Sequence, residues 1–157
     1  MLHIRLLTPQ DDLPAVAQLY ADSWKCAYAG ILPGRFLEKL APERWLSVLR
    51  AEPDTSLAAF EDGRIVGTAM LSYQRSEIVS LYLLPQETGR GIGAQLLAYA
   101  LNALKENGCE QALVWVHAAN RRAISFYQRE GFRATGQKMQ ESYGEAACEL
   151  IQLVRLL

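Results

Sequence analysis

The chain has no surplus of either charge: sixteen Lys and Arg stand against seventeen Asp and Glu, for a net charge of −1. Gripping a phosphate backbone needs a clustered basic surface, so this balance argues against nucleic acid as a partner. Cysteine is scarce. Cys26, Cys109 and Cys148 are odd in number and show no metal-ligand spacing, which reads as reduced thiols in a cytoplasmic protein. The two histidines, His3 and His117, cannot by themselves build a zinc site, and no metal is expected. No apolar run approaches the length of a membrane span. The start, Met1 to Leu7, alternates like a strand and lacks the apolar core of a signal peptide. Membrane partners are therefore not expected either.

What is present suits a soluble globular chain. The 157 residues are half hydrophobic and about a fifth charged, enough to bury one core without disulfides. The spacing predicts a single domain over residues 1–157. His3 to Leu7 reads as a strand, and Asp11-Asp12-Leu13-Pro14 opens a helix with a stripe of Leu13, Val16, Leu19/Tyr20 and Trp24. Gly30, Pro33 and Gly34 then mark an irregular segment, before a second helix from Pro42 to about Arg50. Ser56–Glu61 and Arg64–Tyr73 flank the turn signal Asp62-Gly63, and Glu77–Leu84 completes a three-stranded meander. A helix follows with Ile92, Leu96, Leu97, Ala100, Leu101 and Leu104 on one face, ended by Asn107-Gly108. Gln111–His117 is a strand, Asn120 caps a helix carrying Ala123, Ile124 and Tyr127, and Phe132–Lys138 and Ala147–Leu156 close the chain as strands. The order predicts an α/β fold: a mixed, mostly antiparallel sheet of about seven strands flanked by about four helices.

Between the third meander strand and its helix lies Gln86-Glu-Thr-Gly89-Arg90-Gly91-Ile92-Gly93-Ala94. Glycines at a helix N-terminus let a ligand approach backbone N–H groups at the positive end of the helix dipole, which suits phosphate oxygens. A merely tight turn would need one glycine, not three. The segment is not a P-loop, because no Lys-Ser/Thr follows the glycines. Gly89-x-Gly91-x-x-Ala94 formally matches a dinucleotide fingerprint, but that fold needs an acid at the end of the next strand. Here that strand ends in Val116-His117-Ala118, and about forty residues follow it, too few for a second half.

The run "LYLLPQETGRGIGAQLL", followed about thirty residues later by "NRRAISFYQREGF", resembles the GNAT superfamily of N-acetyltransferases. The resemblance covers about Arg64 to Phe132, and "SWKCAYAGILP" near the start is similar to an N-terminal helix and loop of many bacterial members. It implies the family fold and transfer of an acetyl group from acetyl-CoA, as co-substrate, directly to a primary amine. Carried over by position, Gly89, Arg90, Gly91, Ile92, Gly93 and Ala94 would hold the pyrophosphate. Backbone groups of Leu81, Tyr82 and Leu83 would hold the thioester arm, and Asn120 would contact the pantetheine while capping its helix. Tyr127 stands where the family has the general acid that protonates the thiolate, a role a neutral phenol can fill; on pattern alone it reads first as a core aromatic of an amphipathic helix. The base is less determined. Trp115 occupies the strand position at which some relatives carry a glutamate, leaving Glu77, with His117 or a water chain as substitutes. Trp24, Tyr28 and Tyr73 are candidate walls of the acceptor pocket. The acceptor itself, a small molecule or a peptide amine, is not legible, and self-association as a homodimer stays open. A CoA-binding module without catalysis is the alternative.

Overall fold

The computed structural model describes all residues from Met1 to Leu157. Its strands are β1 (Leu2–Leu6), β2 (Ser56–Glu61), β3 (Arg64–Ser72), β4 (Glu77–Leu83), β5 (Gln111–His117), β6 (Arg133–Tyr143) and β7 (Ala146–Leu156). They form one seven-stranded sheet in the order β1-β2-β3-β4-β5-β7-β6. All neighbours are antiparallel except β4 and β5. The helices are α1 (Leu13–Ala27), α2 (Gly34–Glu38), α3 (Glu43–Ala51), α4 (Ile92–Glu106) and α5 (Arg121–Arg129). α4 is the crossover that lets β4 and β5 run parallel. No helix is long and apolar enough to cross a membrane.

The fold is thus the α/β sheet read from the sequence, with five helices in place of about four. The additional one, α2, lies in the segment that Gly30, Pro33 and Gly34 mark as irregular. Pro33 stands at its N-cap, and Leu37 and Leu40 anchor it by burial. β6 also runs past Lys138, because its hairpin with β7 turns at Gly144 and pairing continues to Tyr143↔Ala146.

Strand alternation divides the apolar side chains between two faces. On one face Val66, Ala69, Ile78, Val114 and Val116 pack against the α4 stripe of Ile92, Leu96, Leu97, Ala100 and Leu104, with Tyr127 of α5. On the other, Val16, Ala17 and Tyr20 of α1 and Trp45 and Leu49 of α3 meet Ala58 and Tyr143. Two local features break the sheet's regularity at its centre. In the β3–β4 ladder the register steps from Leu71↔Ile78 to Met70↔Ser80, so Val79 is an extra residue, a bulge that bends β4. The β4–β5 ladder is confined to Glu77↔Leu113, supported by the Leu113 N–H donating to the Ser76 carbonyl at 2.8 Å. Beyond that point the two strands splay apart, and the sheet has a gap.

Candidate active site

The gap opens into a cleft of about 590 Å³ that reaches both faces of the sheet. Leu81 and Leu83 of β4 face the α4 side, while Tyr82 between them packs with the α1 side. Because Leu81, Tyr82 and Leu83 pair with β3 on one edge and with no strand on the other, their remaining backbone groups face the cleft. An extended ligand can satisfy them as a neighbouring strand would.

On the α4 side the wall includes Gly89, Gly91, Gly93 and Ala94. Gly91 caps α4 with φ 78°, in the left-handed region, and no side chain satisfies the first N–H groups of the helix. Those donors are left for a ligand. Gly93 has no such conformational need: a Cβ there would make ordinary contact with Phe126 at 3.5 Å and Leu83 at 3.6 Å. α1 and α5 show the contrast, since Asp12 accepts from the Ala15 N–H at 3.1 Å and Asn120 from the Ala123 N–H at 3.2 Å. Asn120 lines the cleft with its oxygen already committed to the cap, so its amide NH₂ is what it can offer.

The loop itself is clamped from behind. Glu87 is buried between Arg64, at 3.4 Å, and Arg90. Arg90 also grips Glu61 of β2 with two hydrogen bonds, of 2.8 and 2.9 Å. The Arg90 side chain therefore points to this brace and does not line the cleft, and Ile92 is buried in the core under α4. Both belong to the loop's support.

Tyr127 is 5 % exposed, lines the cleft and packs edge-on against Phe126 and Phe132. Burial pushes its phenol well above the ordinary tyrosine value, so it stays protonated at neutral pH. Across the gap, on the α1 side, Tyr28 lines the cleft and its hydroxyl bonds that of Tyr82 at 3.1 Å. Burial raises both of these phenols as well.

The remaining residues singled out from the sequence lie elsewhere. Trp24 stands behind Tyr28, ring centroids 4.8 Å apart, in a cluster with Trp45 and Tyr143, and does not line the cleft. Tyr73 follows β3, donates to the Asp54 carbonyl at 3.3 Å and is likewise outside it. Glu77 sits where β4 and β5 are still joined, the closed end of the gap, and its carboxylate takes the Arg75 guanidinium at 2.7 Å. The cleft does not reach it. Trp115 and His117 do line it, together with Ser23 and Cys26 of α1 and Arg122 and Arg129 of α5, which sequence reasoning did not single out. The Arg121-Arg122 pair directly after the cap was the available signal for a cationic rim. Ser23 and Cys26 carried none, because nothing in a helical stripe says that it will face a gap in a sheet. No three His, Cys, Asp or Glu side chains come together in a way that could hold a metal ion.

A helix N-terminus without a side-chain cap thus stands beside a split in a mixed sheet. The acetyltransferase (GNAT) family model matches residues 14–132, and the chain belongs to that family. It is 31 % identical over 134 residues to the spermidine N(1)-acetyltransferase of Thermoplasma acidophilum, covering 78 % of this chain and 83 % of that protein. An uncharacterised N-acetyltransferase of Mycobacterium bovis is 35 % identical over 128 residues, covering 80 % and 75 % of the two chains. The crystal structure of the PaiA N-acetyltransferase from Thermoplasma acidophilum in complex with coenzyme A superposes with a TM-score of 0.78. Its identity is 25 %, over 100 % of this chain and 99 % of that one. The chain is an acetyltransferase.

Proposed function

We propose that acetyl-CoA is the donor and that its acetyl group passes directly to a primary amine inside the cleft. The observation that carries this reading is the gap between β4 and β5, which gives the donor and the acceptor separate approaches to one point. The pyrophosphate lies on the free N–H groups of Ile92, Gly93 and Ala94, with Arg122 and Arg129 near the phosphates. The pantetheine runs along the unpaired edge of β4, hydrogen-bonded to backbone groups of Leu81, Tyr82 and Leu83, and meets the Asn120 amide. Its thioester then stands in the gap beside Tyr127.

The amine comes from the α1 face, past Ser23, Cys26 and Tyr28. Its nitrogen attacks the thioester carbon, the C–N bond forms and the C–S bond breaks. The departing thiolate takes the Tyr127 proton. A phenol held neutral by burial keeps its proton in place until the thiolate departs, and the charge developing on sulfur is what draws it across. Backbone donors around the carbonyl oxygen stabilise its developing charge.

The test is thiol release from acetyl-CoA in the presence of primary amines, with the acetylated product identified by mass spectrometry. Spermidine, the acceptor in the name of the Thermoplasma relative, belongs in the first set, with benzylamine and a peptide bearing a free N-terminal alanine. Acceptor-dependent release supports the reading. Tight CoA binding with no acceptor-dependent release across a wide amine set would favour a binding module instead.

A further inference from the structure

His117 ends β5, is 4 % exposed and lines the cleft. Its Nε2 lies 3.2 Å from the Tyr143 hydroxyl, which in turn donates to Glu141 Oε2 at 2.7 Å. A phenol has one hydrogen. With that hydrogen given to the carboxylate, the Tyr143 oxygen can only accept, so Nε2 carries the imidazole proton. Nδ1 is then a bare lone pair, and it is buried without a hydrogen-bond partner. Buried polar atoms are almost always partnered, so an orphaned acceptor in a cleft wall points to a group that arrives with the substrate. The ring is faced by Tyr28 from α1, with centroids 4.8 Å apart, and by Tyr143 and Glu141 from β6. Cys148 of β7 pairs with Glu141, and Tyr82 of β4 stands behind Tyr28. Glu141 is the one charged group among them. Nδ1 is buried, and the Tyr28 ring lies against the imidazole on the cleft side that Tyr28 also lines.

We propose that His117 Nδ1 is the base that takes the proton from the acceptor's ammonium group, with Tyr143 and Glu141 as positioning residues that fix its tautomer. The proposal rests on the acetyl-transfer reading of the same cleft. The N–H bond of the ammonium breaks, its proton moves to Nδ1, and the freed electron pair attacks the thioester carbon. Thiolate departure consumes the Tyr127 proton, and the second proton on the acylated nitrogen restores Tyr127. The imidazolium gives its proton to water when the product leaves, so each turnover converts an ammonium and a thioester into an amide, a thiol and one released proton. While charged, the imidazolium donates Nε2–H to Tyr143, whose own hydrogen remains on the Glu141 carboxylate. Burial holds His117 below the ordinary histidine value, and the Glu141 charge offsets part of that. A base with a lowered value puts the acid limb of the rate profile below the ordinary histidine range, with the rate rising through that limb and flat above it.

Two measurements test this on the full chain. The first is nitrogen-15 NMR of labelled histidine in the His3→Gln variant, where His117 is the one remaining signal. A neutral ring protonated at Nε2 is expected, with the preference lost in Tyr143→Phe; a ring protonated at Nδ1 overturns the proposal. The second is the pH profile of kcat/KM, with whichever of benzylamine, spermidine and the alanine peptide the wild type acetylates fastest. His117→Gln should lower kcat/KM about 100-fold and erase the acid limb. Tyr143→Phe should lower kcat about tenfold and move the limb to lower pH, because the imidazolium loses its acceptor, while KM for acetyl-CoA stays put. Glu141→Gln should move the limb the same way by less. An unmoved limb in His117→Gln or in Tyr143→Phe refutes the role. If the wild type acetylates none of the amines, the acetyl-transfer reading fails, while the tautomer still decides the relay.

Discussion

Gly91 is the position at which the phosphate-binding account is most exposed to test. It caps α4 at φ 78°, lines the cleft, and a Cβ built there would meet nothing within 4 Å. Gly91→Asp and Gly91→Asn therefore add a side chain without a clash. Both residues tolerate the left-handed region better than others, and each regains as a helix cap part of the roughly 1 kcal/mol of backbone strain. Both should fold. Both also place an oxygen on the donors that the pyrophosphate would use, so each should weaken CoA binding severalfold. The aspartate adds charge. At about 4 Å in water-like surroundings one pair of like charges costs about 1 kcal/mol, and a pyrophosphate carries about two. Gly91→Asp should thus bind CoA at least tenfold more weakly than Gly91→Asn, about 1.4 kcal/mol or more. Titration calorimetry at low and at physiological salt reads both numbers, and the gap should narrow as screening grows. A folded Gly91→Asp that binds CoA like the wild type would remove the α4 N-terminus from the phosphate site.

Tyr127→Phe keeps the ring against Phe126 and Phe132, so CoA affinity should barely change while turnover falls about 100-fold; normal turnover would return Tyr127 to a packing role. Glu77→Gln should leave the acid limb of the pH profile in place, because the cleft does not reach that carboxylate; a flattened limb would restore it as the base. Asp11 accepts from Arg5 at 2.7 and 2.9 Å and from the Thr8 N–H at 2.7 Å, and the Arg5 bond first, then Thr8, holds its carboxyl at about 2. A depressed folded value gives stability that is fully present above the unfolded value of about 3.9 and is lost as pH falls through about 2. Because Arg5 is half exposed, Asp11→Asn should cost only about 1 kcal/mol in urea melts at neutral pH, and the variant's stability should decline less between pH 4 and 2. Equal losses at pH 7 and pH 2 would contradict this.

The sequence carried the periodic parts of the fold most clearly. The α4 stripe, the Asp62-Gly63 hairpin, the helix start at Asp11-Asp12-Leu13-Pro14 and the Asn120 cap are local signals with local causes, although Asp12 proves to be the cap rather than part of the first turn. α2 was hidden because a helix of one turn leaves no period to read. The gap between β4 and β5 was hidden for a different reason. It comes from the Val79 bulge and from a ladder that ends at Glu77↔Leu113, and neither changes the strand's composition. Sequence position placed Arg90 and Ile92 with the phosphate loop but could not say where their side chains go: that of Arg90 braces Glu61 and that of Ile92 fills the core, leaving the Ile92 N–H at the helix start. Glu77 and Tyr73 depended on where the gap closes, and Trp24 on which aromatic of a cluster fronts the cleft. The Glu141–Tyr143–His117 chain joins the end of β5 to an edge strand more than twenty residues later, a contact that only the folded sheet creates.

The central claim is that one cleft brings an acetyl thioester and an amine together. Its most direct measurement is acceptor-dependent release of CoA thiol from acetyl-CoA, followed by mass spectrometry of the amine, with wild type and Tyr127→Phe side by side. The account predicts a singly acetylated amine in step with the released thiol, and about 100-fold slower formation of both in the variant. Thiol release at the same rate with and without amine, leaving the amine unmodified, would contradict it.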